Sequence, residues 1–198
     1  MSKINLGILG GGQLGSMLAT AAKKLNVQTI IYCDDENAPA QKFADDFILG
    51  DYNDENKITE FVNKVNVVTY EFENIPFNTL EFINKHKQVL PKPNINQVIQ
   101  NRFSEKNFIN NLGIKTTDYV IIKNLKDLNN NLNFLPGILK TTTLGYDGKG
   151  QFRLNNKNEI DKQKIDFNNQ YILEKIINLK KEISVIITRF KNQTYEIY

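Results

Sequence analysis

The sequence predicts an α/β protein in which a doubly wound parallel-sheet domain precedes a β-rich second domain. Short apolar strands alternate with amphipathic helical segments over about the first ninety residues, and a glycine-rich turn follows the first strand. Two prolines in PKPN (91–94) then interrupt the alternation, which marks a boundary. We therefore expect domains at 1–93 and 94–198, the second with a helical lead-in at 94–115 and a β-rich small subdomain at about 116–186.

The elements of the first domain follow one another in a regular order. Pro76 stands at a helix start, where a missing N–H costs nothing. Because strand–helix alternation at this spacing builds βαβ units, we expect a parallel sheet. The predicted strands are 4–9, 27–33, 47–50, 67–70 and 88–90, and the predicted helices are 14–25, 55–65 and 76–86.

The second domain begins with helices and continues with strands. Two helical segments are predicted at 95–102 and 104–112, with Ser104 as the N-cap of the second. The Asn-rich stretch 127–133 is compatible with a frayed helix or a loop. Predicted strands are DYVII (118–122), GILK (137–140), GQFRL (150–154), QYILE (170–174) and EISVIITRF (182–190).

Composition and charge exclude several classes of function. The 25 basic and 22 acidic residues are interspersed and give a net charge of +3, so we expect no nucleic-acid partner. No apolar run reaches the ~20 residues of a membrane span, so we expect no membrane partner. Cys33 and His86 are the only cysteine and histidine, which excludes an intrachain disulfide and a Cys/His zinc site. We expect Cys33 to be buried, His86 to be solvated, and the protein to be cytoplasmic.

The glycine turn GGGQLG (10–15) fits the pattern G-x-G-x-x-G between a strand and a helix. Glycines allow close backbone approach, and a helix N-terminus offers free N–H groups to an anion. Asp34 and Asp35 follow about twenty residues later, where a dinucleotide-binding fold has its ribose ligand. Alone, this motif is compatible with a nicotinamide-dependent oxidoreductase, with another phosphate ligand, or with a tight turn that binds nothing.

A second glycine-rich loop, LKTTTLGYDGKGQFR (139–153), joins two predicted strands. Lys140 ends the first of these strands, where its ammonium group can hold a phosphate. Glu174 ends a later strand and is placed to hydrogen-bond an adenine and its ribose, with the apolar pair 176–177 against the base. Glu182 begins the next predicted strand and can accept from ribose hydroxyls.

Five segments in order give the chain a specific resemblance. They are GGGQLG, TYEFENIP (69–76), QNRFSEK (100–106), LGYDGKGQFR (144–153) and ILEKIINLKKEISVI (172–186). Together they resemble the 5-(carboxyamino)imidazole ribonucleotide synthase family of ATP-grasp ligases, over essentially the whole chain. The family's loop usually reads GGYDGKGQ, and Leu144 stands here where its first glycine is expected.

The resemblance implies a fold, a reaction and a set of ligands. The fold would be a pre-ATP-grasp domain followed by an incomplete ATP-grasp domain. ATP would phosphorylate bicarbonate, and the carboxyl group would pass to the amine of 5-aminoimidazole ribonucleotide, in purine biosynthesis. ATP and Mg²⁺ would be the cofactors, and the full-length family suggests a homodimer. A loop that closes over the site would protect an unstable carboxyphosphate from water.

The resemblance also implies roles for individual residues. Asp147 would be the catalytic carboxylate, with Lys149 beside it in the same loop. The implied ATP-binding residues are Arg102, Lys140, Gly145, Tyr146, Asp147, Gly148, Lys149, Gly150, Gln151, Glu174, Lys175, Ile176, Ile177 and Glu182. The implied ribonucleotide-binding residues are Gly12, Gln13, Leu14, Glu71, Glu73 and Tyr146.

The family continues well beyond residue 198, and there we expect the carboxylate ligands of magnesium. The chain would then be a C-terminally truncated form with impaired turnover, exposed apolar surface and a tendency to dimerise. Three alternatives stay open: a non-catalytic nucleotide-binding remnant, an ATP-grasp ligase with another acceptor, and the nicotinamide-dependent oxidoreductase. The oxidoreductase alternative assigns no function to residues 140–186.

Overall fold

Two larger β-sheets organise the chain in the computed structural model, which describes residues 4–145 and 150–198. The first sheet is wholly parallel and belongs to the N-terminal half of the chain. The second is antiparallel and belongs to the C-terminal half. The predicted fold class, a doubly wound parallel sheet followed by an α+β part, is therefore confirmed.

The parallel sheet has five strands in the order β3-β2-β1-β4-β5. Leu9 lies opposite both Tyr32 and Tyr70, so the carboxyl ends of β1, β2 and β4 meet at one edge. Ligands of open α/β sheets bind at such an edge. The strands are β1 (Asn5–Leu9), β2 (Gln28–Cys33), β3 (Asp46–Leu49), β4 (Val67–Tyr70) and β5 (Gln88–Val89), and the helices are α1 (Gln13–Lys24), α2 (Glu55–Lys64) and α3 (Phe77–His86).

Helices cover both faces of this sheet because successive strand residues point to opposite sides. Ile8 packs with Ala19 of α1 in one buried cluster. The next residue, Leu9, packs with Phe61 of α2 and Ile83 of α3 in another. These five side chains are inaccessible to solvent, and so is Ile31, which packs on the α1 side of the sheet.

Side-chain caps mark the start of α2 and of the helix that follows Asn101. Asp54 Oδ1 accepts from the backbone N–H groups of Asn56 and Lys57, at 3.0 and 3.1 Å, and starts α2. Asn101 Oδ1 accepts from the N–H groups of Phe103 and Ser104, at 3.0 and 3.2 Å. The prediction of Ser104 as an N-cap was therefore wrong, because Asn101 already satisfies its N–H.

The antiparallel sheet has four strands in the order β6-β9-β7-β8, so β9 is central. One face carries a buried apolar cluster that includes Leu139, Leu173 and Leu128. The strands are β6 (Tyr119–Ile122), β7 (Gly137–Thr141), β8 (Gln151–Leu154) and β9 (Tyr171–Lys175), and the helices are α4 (Pro93–Ile99), α5 (Arg102–Asn111), α6 (Leu125–Asn130) and α7 (Lys157–Ile160). Short 3₁₀ turns occur at Pro39–Lys42 and Leu132–Phe134.

The last predicted strand, 182–190, is largely absent from the described structure. Only Ile187–Arg189 forms a strand, β10, which pairs with β11 (Tyr195–Ile197). Ile183 is 79% exposed, so the apolar sequence there lacks the packing that would hold a strand in a sheet. The Asn-rich stretch, left open between helix and loop, ends α6 and continues into the second 3₁₀ turn.

Two single residues lie as the sequence predicted. Cys33 is 5% exposed and has a free thiol, and His86 is an exposed residue at the end of α3. Across residues 4–145 and 150–198, no helix is both long enough and apolar enough to cross a membrane.

Candidate functional site

The GGGQLG turn lies at the carboxyl edge of the parallel sheet, directly against Glu71. The backbone N–H of Gly12, the residue before α1, donates to Glu71 Oε1 at 2.8 Å. A carboxylate is stabilised at this helix end because unpaired N–H groups give it a partial positive charge. Gly10 has φ +105°, and a Cβ there would lie 2.7 Å from the same oxygen. The structure thus brings together Gly12 and Glu71, two of the residues that the resemblance assigns to the ribonucleotide site.

The other residues expected to bind the ribonucleotide lie around this contact. Gln13 and Leu14, in the first turn of α1, are exposed. Glu73 is also exposed, and its Oε1 accepts from Asn74 Nδ2 at 3.3 Å. These side chains face solvent beside the sheet edge and are available to a ligand.

Below the turn, the hydroxyl of Tyr52 is buried without a hydrogen-bond partner among the described residues, although the Cys33 thiol lies beside it. Burial raises the pKa of the Tyr52 phenol above its ordinary value, and the nearby Cys33, Asp34 and Glu71 raise it further. Tyr52 therefore stays protonated at neutral pH.

A three-residue charge cluster lies on the face of the antiparallel sheet opposite its apolar core. Glu174 Oε2 contacts Lys140 Nζ at 2.7 Å, and Glu174 Oε1 contacts Lys106 Nζ at 2.9 Å. The side chains of Glu174, Lys106 and Lys140 are 7%, 15% and 23% exposed. Burial by itself raises the pKa of the Glu174 carboxyl, but the two lysines outweigh it and leave the pKa below its ordinary value. The cluster carries a net positive charge.

Lys106 is a site residue that the sequence analysis quoted in a motif but did not assign. It lies four residues after Arg102 on α5, so both side chains point from the same face of the helix. Its ammonium group also lies 5.4 Å from the centre of the Tyr119 ring. In the sequence, the signal that could have identified Lys106 was its spacing of one helical turn from Arg102, another cationic residue.

Arg102 contacts the beginning of the glycine-rich loop. Its guanidinium donates to the carbonyl oxygen of Thr141 at 2.7 Å and to that of Gly145, and its backbone N–H donates to Thr142 O at 2.9 Å. The loop closes where Thr141 N–H donates to Gly150 O at 2.9 Å. In this structure Arg102 therefore holds the backbone of the loop.

The backbone conformation at Leu144 accounts for the glycine that the loop of the resembled family has at this position. Its φ is +57°, in the left-handed region that glycine enters without strain. The leucine side chain is 72% exposed. The substitution thus costs backbone energy and is offset by little burial.

The remaining predicted residues are scattered. Lys175 Nζ lies 3.7 Å from Asp118 Oδ2 and over the ring of Phe134. Glu182 is exposed and lies outside any strand, so the prediction that it begins a strand was wrong. Gln151 lies opposite Lys140 across β7 and β8. Ile176 is half-buried and Ile177 exposed; Tyr146, Asp147, Gly148 and Lys149 lie outside the described residues.

The residues that the structure describes, 4–145 and 150–198, form no dedicated metal site. Within these ranges, no three His, Cys, Asp or Glu side chains are grouped closely enough to hold a metal. We assign no chemical step to a metal bound by them.

Comparison with known proteins defines the class to which this fold and site belong. The ribonucleotide synthetase preATP-grasp domain matches residues 1–100, and the ATP-grasp domain matches residues 107–198. The chain belongs to the ATP-grasp family that carries this ribonucleotide synthetase preATP-grasp domain.

Within that family, the similar proteins include N5-carboxyaminoimidazole ribonucleotide synthases. The N5-carboxyaminoimidazole ribonucleotide synthase of Staphylococcus aureus strain COL is 34% identical, over 94% of this chain and 51% of its own length. A crystal structure of the synthetase from Staphylococcus aureus with ADP is 32% identical, with a TM-score of 0.94 over 100% of this chain and 54% of that one. The resemblance to the 5-(carboxyamino)imidazole ribonucleotide synthases is thus confirmed.

A third relative contains both kinds of ligand. The synthase from Aspergillus clavatus, in complex with ADP and 5-aminoimidazole ribonucleotide, is 26% identical with a TM-score of 0.86, over 99% of this chain and 52% of that one. The chain spans about half the length of each of these relatives.

Proposed function

We propose that this chain carries the N-terminal portion of an ATP-grasp ligase that makes 5-(carboxyamino)imidazole ribonucleotide in purine biosynthesis. ATP transfers its terminal phosphoryl group to a bicarbonate oxygen, which gives carboxyphosphate and ADP. The exocyclic amine of 5-aminoimidazole ribonucleotide then attacks the carboxyl carbon, and phosphate leaves as a C–N bond forms and the amine loses a proton. Support comes from the two family matches and from the relatives in complex with nucleotide.

The observation that carries the proposed ATP site is the convergence of Lys140 and Lys106 on the buried Glu174. Phosphoryl transfer depends mainly on positioning and on neutralising charge, and two ordered ammonium groups supply both. Because the pKa of Glu174 is lowered, its carboxylate stays charged at neutral pH and keeps both lysines in place. The ATP-binding set that we propose is Arg102, Lys140, Gly145, Tyr146, Asp147, Gly148, Lys149, Gly150, Gln151, Glu174, Lys175, Ile176, Ile177 and Glu182.

The proposed ribonucleotide site is the carboxyl edge of the parallel sheet. Glu71 orients the glycine turn through the Gly12 N–H, and the exposed Gln13 and Glu73 are free to contact the ligand. We propose Gly12, Gln13, Leu14, Glu71, Glu73 and Tyr146 for this site. Asp147 and Lys149 remain our proposed catalytic pair from the resemblance.

Further proposals concern organisation and surroundings. We propose a domain boundary near residue 93, which is supported by the end of β5 at Val89 and the start of α4 at Pro93. Magnesium would enter as its complex with ATP, bicarbonate would be the carboxyl donor, and the complete enzyme would be a homodimer. A cytoplasmic location is supported by the presence of a single, unpaired cysteine.

The test is calorimetric titration of the chain with magnesium-ATP and then with 5-aminoimidazole ribonucleotide, with NAD as the comparison ligand. We expect ATP to bind and NAD to give no heat. Lys140→Met should weaken ATP binding at least about tenfold, because it removes a charged hydrogen bond. Lys106→Met should have a smaller effect because it acts through Glu174, and Lys126→Met, at an exposed position on α6, should have none.

Each alternative predicts a different result. NAD binding without ATP binding would contradict the proposal and favour the oxidoreductase. ATP binding without ribonucleotide binding would favour a nucleotide-binding remnant. Turnover only with another amine acceptor would favour a different ATP-grasp ligase.

A further inference from the structure

We infer that Gln100 is a positioning residue, and that with Arg102 it forms a strut that couples the ribonucleotide site to the ATP site. This inference rests on the proposed function for the identity of the two ligands. The strut consists of residues 100–102, which are the short junction between α4 and α5 and the first residue of α5. It holds one segment from each proposed site.

Gln100 holds the turn that follows β4. Its Nε2 donates to the carbonyl oxygens of Glu73 and Ile75, each at 2.7 Å. The buried Asn96, one helical turn earlier, donates from Nδ2 to the same Ile75 oxygen at 3.3 Å. The amide side chains of Asn96, in α4, and of Gln100, directly after it, therefore fix the turn that carries Glu71. The Glu71 carboxylate in turn holds the Gly12 N–H.

Arg102 holds the other segment through the carbonyl oxygens of Thr141 and Gly145. A cavity of about 150 Å³ separates the two held segments. Glu73 and Asn74 line one side of the cavity, Leu144 and Gly145 line another, and Gln100 and Arg102 lie between them. The junction thus contacts both segments that line this cavity.

The junction is short and is fixed at both ends. The Gln100 N–H donates to Asn96 O at 3.0 Å and closes α4, and the Asn101 side chain caps α5. A ligand that orders one segment therefore reduces the freedom of the junction. The second ligand then loses less conformational entropy on binding, so each ligand strengthens the binding of the other.

The test compares Gln100→Met with Gln97→Met. Methionine keeps the length of the side chain but removes the donor, and Gln97 is an exposed residue of α4, the helix that ends directly before Gln100. Amide hydrogen exchange, which needs no ligand, should become faster over 71–76 in Gln100→Met and stay unchanged in Gln97→Met. Arg102→Lys, which keeps the charge, should instead speed exchange over 141–145.

Titrations test the coupling itself. In Gln100→Met we expect the ribonucleotide Kd to rise by about two- to tenfold, the Kd for ATP alone to stay within about twofold, and ATP to enhance ribonucleotide binding less than in the wild type. Circular dichroism melting should stay cooperative in all variants. If Gln100→Met is too unstable, Arg102→Lys provides the same exchange and coupling comparison from the other side of the junction.

The outcomes separate the strut from the proposed function. Equal exchange over 71–76 in the two glutamine variants, or an unchanged enhancement by ATP, would overturn the strut. A wild-type chain that binds neither ligand would instead contradict the proposed function, since the exchange rates test the strut's contacts by themselves.

Discussion

Lys140 and Glu174 form a 2.7 Å ion pair between neighbouring antiparallel strands, on the face of the sheet that the apolar core does not use. In register, Ile172 lies opposite Lys140 and Ile138 lies opposite Glu174, so the two charged side chains reach each other diagonally. Sequence positions thirty-four apart thus become one site because β9 inserts between β6 and β7.

Glu174→Gln should destabilise the protein at neutral pH by about 1–3 kcal/mol, because two largely buried ammonium groups lose their counter-charge. The folded pKa of Glu174 is below its ordinary value of 4.5, so the carboxylate stabilises the fold above that pH, and this stabilisation is lost as the pH falls through the folded pKa. Urea unfolding between pH 3 and 7 checks this. A difference between variant and wild type that does not shrink at low pH would contradict it.

Leu144→Gly should stabilise the chain by about 0.5–1 kcal/mol. Glycine removes the cost of the left-handed φ of +57°, which exceeds the backbone entropy that it adds to the unfolded state. Leu144→Ala is the control, because alanine removes the same exposed side chain but keeps the strained backbone. Chemical unfolding should rank glycine above alanine, and equal stabilities would mean that the backbone is relaxed.

Tyr52→Phe and Tyr32→Phe should differ although each removes one buried hydroxyl. The Tyr52 hydroxyl has no hydrogen-bond partner within the described ranges, so its removal should be neutral or slightly stabilising. The Tyr32 hydroxyl donates to Asp51 O at 2.6 Å, and its loss should cost about 1 kcal/mol. Thermal melting of both variants measures this difference, and a larger loss for Tyr52→Phe would reveal a partner for its hydroxyl.

Gly10→Ala should destabilise the chain by more than Gly113→Ala. Both glycines have positive φ, +105° and +78°, so both variants carry a backbone cost of about 1–3 kcal/mol. A Cβ at Gly10 would also meet Glu71 Oε1 at 2.7 Å, whereas a Cβ at Gly113 meets nothing within 4 Å. Urea unfolding of the two variants isolates the contact with Glu71. Equal losses would show that Glu71 moves aside freely.

Much of the architecture follows from local patterns in the sequence. Apolar alternation and helical spacing predicted the strands and helices of the parallel sheet, because those periods depend on residues that are neighbours along the chain. The prediction was weakest where local pattern and packing disagree. Residues 182–186 have a strand-like sequence but stay exposed. Ser104 is a residue type that often caps helices, but the cap of this helix is formed by the Asn101 side chain.

The sequence by itself determined the order of the elements, the two glycine-rich turns and the family. Only the tertiary structure decided that Lys106 meets Glu174, that Glu71 closes on Gly12, and that Gln100 and Arg102 hold two distant segments. Periodicity specifies which face of an element is buried, but a contact between side chains depends on which strands become neighbours and in what register. Those relationships are set by packing across the whole chain.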